Sequence, residues 1–265
     1  MGAPERLRRT QTTDGYSVAL KAYSGGAFFG EVYGEGPPRL LALHGWRRSS
    51  ADFRSLLAGF DALALDLPGF GASPPPAEPW GAAGYAKAIA PVLHEFPEPP
   101  IVLAHSFGGR VAVHLAGLGP VASLALIGVP LIRPSGPRKN PSLAFRLVKY
   151  FHKLGIVDEE RMEQARRTHG SADYRAAEGV MRDVLVTVVN ESYEKELDNL
   201  PVPVRMLWGA DDAAAPVPAA RQAYDRLIGR GADATFEVLD GVGHDVHLER
   251  PDRVLAILND LGLSR

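Results

Sequence analysis

Short apolar runs alternate along the chain with segments of helical periodicity. The runs Leu40-Leu-Ala-Leu, Ile101-Val-Leu-Ala and Leu124-Ala-Leu-Ile are almost continuously apolar, as strands buried on both faces of a parallel sheet must be. The pattern predicts strands at 27–33, 39–43, 60–65, 101–104, 121–127, 203–208 and 234–239. It predicts helices at about 51–58, 82–95, 107–117, 218–229 and 251–262. We therefore expect an α/β fold, with a mostly parallel twisted sheet flanked by helices.

One segment, from about Arg133 to Leu200, interrupts this alternation because it contains only helical patterns. Two apolar stripes at helical spacing lie in it, formed by Leu143, Leu147, Phe151 and Leu154 and by Met181, Val184, Leu185, Val188 and Val189. Ligands of open α/β sheets bind at the carboxyl ends of the strands, and we expect the segment to cover that edge as a lid. The predicted organisation is a core of residues 1–132 and 201–265 with a helical cap of residues 133–200.

Composition and charge exclude several classes of function. Lys and Arg number 29 and Asp and Glu 31, for a net charge of −2; without a run of like charges, a surface for nucleic acid or anionic membrane is not expected. The absence of cysteine excludes disulfides, thiolate metal sites and a cysteine nucleophile. No stretch reaches the roughly 18–20 apolar residues of a membrane span, and the polar start lacks the apolar core of a signal peptide. We expect a cytoplasmic protein.

A serine stands at the predicted turn between the strand ending near Ala104 and the following helix, in His105-Ser106-Phe107-Gly108-Gly109. A serine on such a turn presents its hydroxyl above the sheet, and small residues two before and two after it let the helix approach the strand. Ala104 occupies a position where Gly is usual, and its methyl group should fit. The backbone N–H of Phe107 would lie at a helix N-terminus, where it favours a developing oxyanion.

The loops after two later strands supply the partners that a serine nucleophile needs. A serine needs a base, and the base needs a carboxylate to orient it. Trp208-Gly-Ala-Asp-Asp212 follows the strand predicted at 203–208, and Gly241-Val-Gly-His244 follows the strand predicted at 234–239. Because the carboxyl ends of parallel strands lie at one edge, we expect these loops to converge on Ser106.

Five short motifs in this order carry a resemblance to a known superfamily. They are Leu43-His-Gly-Trp46, Asp66-Leu-Pro-Gly-Phe-Gly-Ala-Ser73, the turn at Ser106, Gly209-Ala-Asp-Asp212, and Gly243-His244 with Glu249-Arg-Pro251. The chain order Ser, Asp, His is that of the α/β-hydrolases, and the motifs extend over about residues 25–262. The sequence resembles serine-nucleophile, esterase-like members of the α/β-hydrolase superfamily with a helical cap after the sixth strand.

The resemblance implies a role for each member of the triad. Ser106 would be the nucleophile that accepts the acyl group, and His244 the general base and then the general acid. Asp212 would orient the imidazole, since the acid of the family's Gly-x-x-Asp turn stands three residues after the glycine, which selects Asp212 over Asp211. The oxyanion donors would be the backbone N–H groups of Phe107 and Trp46.

Fewer residues can be assigned to substrate or metal binding. His105 is expected to pack under the cap and to line the pocket, and the cap residues expected to face a ligand are Phe145, Tyr150 and Phe151. His244 and His247 form a pair without a third ligand, whereas zinc takes three or four, so no metal site is predicted. The resemblance implies no organic cofactor.

The serine at the turn favours ester hydrolysis over the other reactions of the superfamily. Superfamily members that open epoxides or remove halide carry aspartate there, so hydrolysis of a small-molecule ester is expected. The apolar cap predicts a small to medium, mainly apolar acyl or alcohol group. Three alternatives use the same fold: hydrolysis of a carbon–carbon bond, lyase chemistry on the same triad, or a receptor-like module that binds a small ligand and hydrolyses it slowly. The oligomeric state is not predicted.

Overall fold

The computed structural model of the protein describes residues 8–11, 17–133, 152, 158, 160–161 and 172–264. In this part of the chain nine strands form a single sheet. They are β1 (Arg8–Gln11), β2 (Ser17–Tyr23), β3 (Phe28–Tyr33), β4 (Leu40–Leu43), β5 (Ala62–Asp66), β6 (Ile101–His105), β7 (Ser123–Ile127), β8 (Val204–Gly209) and β9 (Ala234–Leu239). Their order across the sheet is β1-β2-β3-β5-β4-β6-β7-β8-β9.

The sheet is mostly parallel, as the sequence predicts. The strands from β5 through β4, β6, β7 and β8 to β9 run parallel to one another, whereas the pairs β1–β2, β2–β3 and β3–β5 are antiparallel. All seven predicted strands are confirmed, with ends within two residues. β1 and β2 were not predicted, because β1 contains no apolar run and the apolar run of β2 is only three residues long, between Ser17 and Lys21. An antiparallel strand can leave one face in water and so gives a weaker signal than a buried parallel strand.

Nine α-helices are described around this sheet. They are α1 (Arg54–Leu57), α2 (Ala82–Ile89), α3 (Phe107–Leu115), α4 (Ala172–Ala176), α5 (Gly179–Val188), α6 (Glu194–Asp198), α7 (Val217–Gly229), α8 (Val246–Glu249) and α9 (Pro251–Asp260). The predicted helices at 51–58 and 82–95 each combine an α-helix with a 3-10 turn, Ser50–Phe53 and Ala90–Glu95. Pro91, which lacks an N–H, stands where α2 gives way to the second turn. None of the described helices is long and apolar enough to cross a bilayer.

Alternate residues of the central strands enter two separate apolar layers. On one face, Leu41 and Leu43 pack in the layer that contains residues of α2, α3 and α7. On the other face, Leu40 and Ala42 pack in the layer that contains Phe53 and residues of α1 and α9. Since both faces are covered, β4 to β7 are buried at every position. Burying one such leucine side chain contributes about 1.5–3 kcal/mol to folding.

The helices α4, α5 and α6 occupy the described end of the predicted cap segment, between β7 and β8. The cap was expected after the sixth strand. With the short strand β1 counted, the segment follows the seventh strand, β7. Val184, Leu185 and Val188 of the second predicted stripe are buried, but Val189 is 51% exposed because it lies beyond the end of α5. Leu143, Leu147, Phe151 and Leu154, which form the first stripe, lie outside the described residues.

Two contacts show where α4 and α5 lie. Asp173 of α4 pairs with Arg47 in the loop after β4, at 3.4 Å. A Cβ built on Gly69, in the loop after β5, would lie 2.3 Å from the sulfur of Met181 of α5. Both helices therefore lie against loops at the carboxyl edge of the sheet.

Candidate active site

Ser106 stands on a strained turn between β6 and α3. Its backbone has φ 49° and ψ −112°, a conformation that residues other than Gly rarely adopt. Two contacts hold the turn: the N–H of Ser106 donates to the carbonyl of Ile127 at 2.9 Å, and the N–H of Gly108 donates to the carbonyl of His44 at 3.0 Å. A Cβ on Gly108 would lie 2.3 Å from the carbonyl oxygen of Leu43. Only Gly permits this approach of α3 to the strands.

The imidazole of His244 lies between Ser106 and Asp212. Its Nε2 is 2.9 Å from the hydroxyl oxygen of Ser106, and its Nδ1 is 2.7 Å from Oδ2 of Asp212. The other carboxylate oxygen of Asp212 accepts the backbone N–H groups of Ala214 at 2.9 Å and Ala215 at 2.7 Å. With its side chain fully buried, Asp212 is fixed by three hydrogen bonds.

The loops that carry Asp212 and His244 approach each other closely. A Cβ on Gly209, at the end of β8, would lie 2.1 Å from the carbonyl oxygen of Gly243. Gly128, directly after β7, lies beneath the acid–base pair with φ +56°, and a Cβ there would be 3.1 Å from both Oδ2 of Asp212 and Nδ1 of His244. These glycines let the three loops converge at one edge.

The two backbone N–H groups predicted as oxyanion donors are those of Phe107 and Trp46. The N–H of Phe107 is at the first position of α3 and has no partner inside the helix. Within the described residues, no hydrogen-bond acceptor is recorded for this N–H or for that of Trp46. The ring of Trp46 packs on Phe107 and Phe70, with centroids 5.6 and 5.0 Å away. Both donors therefore adjoin an apolar aromatic cluster.

His44 holds the loop that contains Trp46. Its Nε2 accepts the N–H of Leu67 at 3.0 Å, so the proton is on Nδ1, which donates to the carbonyl of Gly45 at 2.7 Å. Complete burial lowers the pKa of His44. The imidazole is therefore neutral and links the loop after β4 to the loop after β5.

In the described part of the chain His105 contacts the loop after β9, and its expected position under the cap and in the pocket stays a prediction. It continues the register of Ile101 and Leu103, which face the layer opposite α2 and α3, and so it packs beneath the loop that carries His244. Its Nε2 lies 3.1 Å from the carbonyl oxygen of His244. Burial, and then the nearby His247 and His244, hold the pKa of His105 well below its usual value.

The sequence analysis missed a group of polar side chains beside His105. The ring of His247 is buried, with its centroid 4.2 Å from that of His105. Arg48 bonds Asp52 and lies 3.6 Å from Asp245. His105 is close to the loop after β9 in space but far from it along the chain. A search for motifs in the sequence therefore cannot detect this group. The predicted pocket residues Phe145, Tyr150 and Phe151 lie outside the described residues.

A match in sequence decides the family. Residues 40–257, which run from β4 into α9 and include Ser106, Asp212 and His244, match the model of the alpha/beta hydrolase family. The chain belongs to the α/β-hydrolase family.

Curated relatives of this α/β-hydrolase include named esterases and lipases. It is 31% identical over 249 residues to the lipase LipV of Mycobacterium tuberculosis, with 84% of this chain and 92% of the lipase covered. It is 25% identical over 256 residues to a pimeloyl-(acyl-carrier protein) methyl ester esterase of Aromatoleum aromaticum, with 84% and 98% covered. These names agree with an enzyme of the hydrolase type.

A solved structure shares the fold. The esterase RhEst1 from Rhodococcus sp. ECU1013 matches with a TM-score of 0.61 at 23% sequence identity, covering 96% of this chain and 97% of that one. At this identity the likeness establishes the α/β-hydrolase architecture, and the residues of the site must carry the argument about chemistry.

Proposed function

We propose that the protein hydrolyses carboxylic esters of small to medium, mainly apolar substrates through an acyl-enzyme on Ser106. The observation that carries this proposal is the continuous pair of contacts from Ser106 to His244 at 2.9 Å and from His244 to Asp212 at 2.7 Å. These distances lie within the range that a nucleophile, a base and an orienting acid need.

Acylation begins with proton transfer from Ser106 to His244. As the hydroxyl oxygen attacks the ester carbonyl, Nε2 of His244 takes its proton, and Asp212 stabilises the imidazolium through Nδ1–H. The negative charge that forms on the carbonyl oxygen is bound by the N–H groups of Phe107 and Trp46. His244 then returns the proton to the alkoxide as the C–O bond breaks.

Deacylation repeats the same steps with water. His244 takes a proton from the water that attacks the acyl carbon, and returns it to the hydroxyl oxygen of Ser106 as the acid leaves. Each preorganised oxyanion donor typically contributes a factor of about 10²–10³ in rate. The N-terminus of α3 adds its dipole at the position where charge develops.

The described surroundings of the site support an apolar substrate. The rings of Trp46, Phe70 and Phe107 pack together next to the proposed oxyanion donors, and Met181 of α5 lies over the loop after β5. We propose that residues 133–200 form a cap over this edge. That its relatives are named esterases and lipases supports a carboxylic ester as substrate.

The test is a panel of p-nitrophenyl esters of graded chain length. Wild type should show saturable turnover with a preference among acyl groups, and Ser106→Ala should lose nearly all of it, by a factor of about 10⁶ if the triad acts as a unit. Ser55→Ala, which changes an exposed serine, should match wild type. A fluorophosphonate should label wild type on Ser106.

Other reactions would give other results. A lyase would react with the fluorophosphonate without ester turnover, and a receptor-like module would turn esters over only very slowly. A carbon–carbon hydrolase would prefer a vinylogous diketone to every ester in the panel. Any of these outcomes would overturn the proposal. The cytoplasmic location and the small-molecule nature of the substrate stay predictions from the sequence.

A further inference from the structure

Three potential ligands for a metal ion lie together behind the catalytic histidine. They are His105, at the end of β6, and Asp245 and His247, which follow His244 in the loop after β9. One ligand atom from each lies within 4.8 Å of the others. Oδ1 of Asp245 is 3.8 Å from Nε2 of His105. Two imidazoles and one carboxylate form a set typical of zinc sites.

Three of the four imidazole nitrogens of this group lack partners within the described residues, whereas Nε2 of His105 bonds the carbonyl of His244. Both nitrogens of His247 are buried and unpartnered; Nδ1 of His105 is unpartnered as well, but it faces Gly45 and is not the nitrogen next to Asp245. The residues are each 2% exposed, and the carboxylate of Asp52 is 3.7 Å from Nε2 of His247. Buried polar atoms are almost always bonded, so orphaned ones call for an explanation, a bound ion among them.

The charges around the group suit a cation. Asp52 and Asp245 contribute two negative charges and Arg48 one positive charge, so the carboxylates outnumber the guanidinium. Arg48 lies by Oδ2 of Asp245, at 3.6 Å, and leaves Oδ1 facing His105. The carboxylate oxygen that a metal would need is therefore not the one that the guanidinium approaches.

We propose that His105, Asp245 and His247 bind a transition-metal dication of the zinc class, and that the bound ion inhibits the enzyme. Metal binding is proposed from the geometry alone; the inhibition rests on the ester hydrolysis proposed above. Imidazole nitrogen favours zinc, copper and nickel, whereas magnesium and calcium take oxygen ligands.

The proposed inhibition follows because Nε2 of His105 would bind the metal and also donates a hydrogen bond to the loop that carries His244. Nε2 of His105 lies 3.1 Å from the carbonyl oxygen of His244 and donates its proton to it in the metal-free enzyme. A nitrogen that binds a metal carries no proton, so the ion removes this hydrogen bond and the proton resides on Nδ1. The loop that carries His244 then loses this hydrogen bond, and the next residue, Asp245, becomes a metal ligand. Both changes shift the loop and disturb the contact of His244 with Ser106.

Small movements complete the site. Zinc–nitrogen bonds of about 2.0–2.1 Å put tetrahedral ligand atoms about 3.3 Å apart, which is shorter than the spread of this group. The side chain of Asp245 is 40% exposed, and its rotation toward the imidazoles would lengthen only the 3.6 Å contact with Arg48. Water would fill the fourth position, since Asp245 opens to solvent.

The test measures zinc binding by equilibrium dialysis and, separately, zinc inhibition of ester hydrolysis. The full chain should bind about one zinc ion and lose activity on zinc addition, with recovery on chelation and no effect of magnesium. His247→Phe keeps an aromatic ring and Asp245→Asn keeps the shape, yet each removes a ligand. Each should weaken zinc binding at least about 10-fold, since even outer-shell partners contribute 10–100-fold, and raise the inhibitory zinc concentration equally.

The controls separate this site from other causes. His94→Gln, which changes an exposed histidine, should bind zinc as wild type does, and thermal melts should show that both ligand variants are folded. Zinc affinity unchanged in both variants, or no binding by dialysis, would overturn the site. Binding without inhibition would overturn the proposed inhibition. If metal-free wild type hydrolyses no ester, the proposed function fails, while dialysis still decides the metal site.

Discussion

Asp212 binds His244 through one carboxylate oxygen and two backbone N–H groups through the other. The second set of bonds restrains rotation of the carboxylate. The orientation of His244 is thereby set by the turn after β8 rather than by the flexible side chain of an acid alone.

Replacing this acid should affect chemistry more than folding. Asp212→Asn keeps an oxygen for the N–H groups of Ala214 and Ala215 but presents an amide to His244, which favours the wrong tautomer. We expect kcat to fall about 10⁴-fold in p-nitrophenyl acetate hydrolysis, with a thermal midpoint near that of wild type. The neighbouring acid provides the control: Asp211 is exposed, and Asp211→Asn should keep full activity. Equal losses in the two variants would contradict the assignment.

The close approach at Gly108 should not tolerate a methyl group. In Gly108→Ala the new Cβ meets the backbone oxygen of Leu43 at 2.3 Å, and a strand backbone cannot move aside as a side chain can. We expect a loss of about 1–3 kcal/mol in the free energy of unfolding, typical of overpacking, measured by urea denaturation. Gly117→Ala is a matched control, because its nearest heavy atom would be 3.5 Å away. A variant at position 108 as stable as this control would show that the turn is looser than described.

Stability should fall as the pH drops below about 6.5. The pKa values of His44 and His105 are lowered by burial, so the unfolded chain takes up protons near pH 6.5 while the folded chain does not. The unfolded state then binds more protons, and folding loses up to about 1.4 kcal/mol per pH unit for each histidine. Urea unfolding at pH 7.5, 6.5 and 5.5 measures the slope.

A single substitution tests the source of this slope. His105→Gln keeps a donor for the carbonyl of His244 but has no titrating ring. It should lower the slope of unfolding free energy against pH by up to about 1.4 kcal/mol per pH unit, which corresponds to one proton. An unchanged slope would mean that His105 takes up its proton in the folded state as well.

Arg110 should determine how firmly α5 is held. It lies one turn after Ser106 in α3, and its guanidinium donates to the carbonyl of Val188 at 2.5 Å, at the end of α5. Arg110→Met removes this charged donor and leaves the carbonyl only the longer bond from the N–H of Glu191, at 3.3 Å. We expect a loss of about 1–3 kcal/mol in the free energy of unfolding. If the segment is a cap, KM should rise more than kcat falls. Arg39→Met, at an exposed arginine, should change neither; a fall in kcat alone would argue against a cap role for α5.

The order of elements and the meeting of three loops could be predicted from the sequence, for a physical reason. Apolar runs report strands buried on both faces, and the carboxyl ends of parallel strands must share an edge. The residues that follow β6, β8 and β9 therefore had to lie near one another, and the structure brings Ser106, Asp212 and His244 within hydrogen-bond distance. The antiparallel strands β1 and β2 were not predicted, because antiparallel pairing does not require a long apolar run.

The environment of His105 could not be predicted, since it depends on the face of β6 on which the side chain falls. A strand end alternates sides at each residue, and the turn at Ser106 hides which side comes next. Consequently the pair His244 and His247 seemed to have no third ligand, although His105 lies against both rings. Distance along the chain conceals this kind of contact.

Gly128 supplies no reacting atom, yet it limits how the family's chemistry can be redesigned on this chain. A side chain at that position would enter the space where acid and base meet, so loop grafts that extend beyond β7 need to keep a bare backbone there. If residues 133–200 form the proposed cap, variation aimed at new substrates is better placed in α4 and α5, which lie against the loops after β4 and β5.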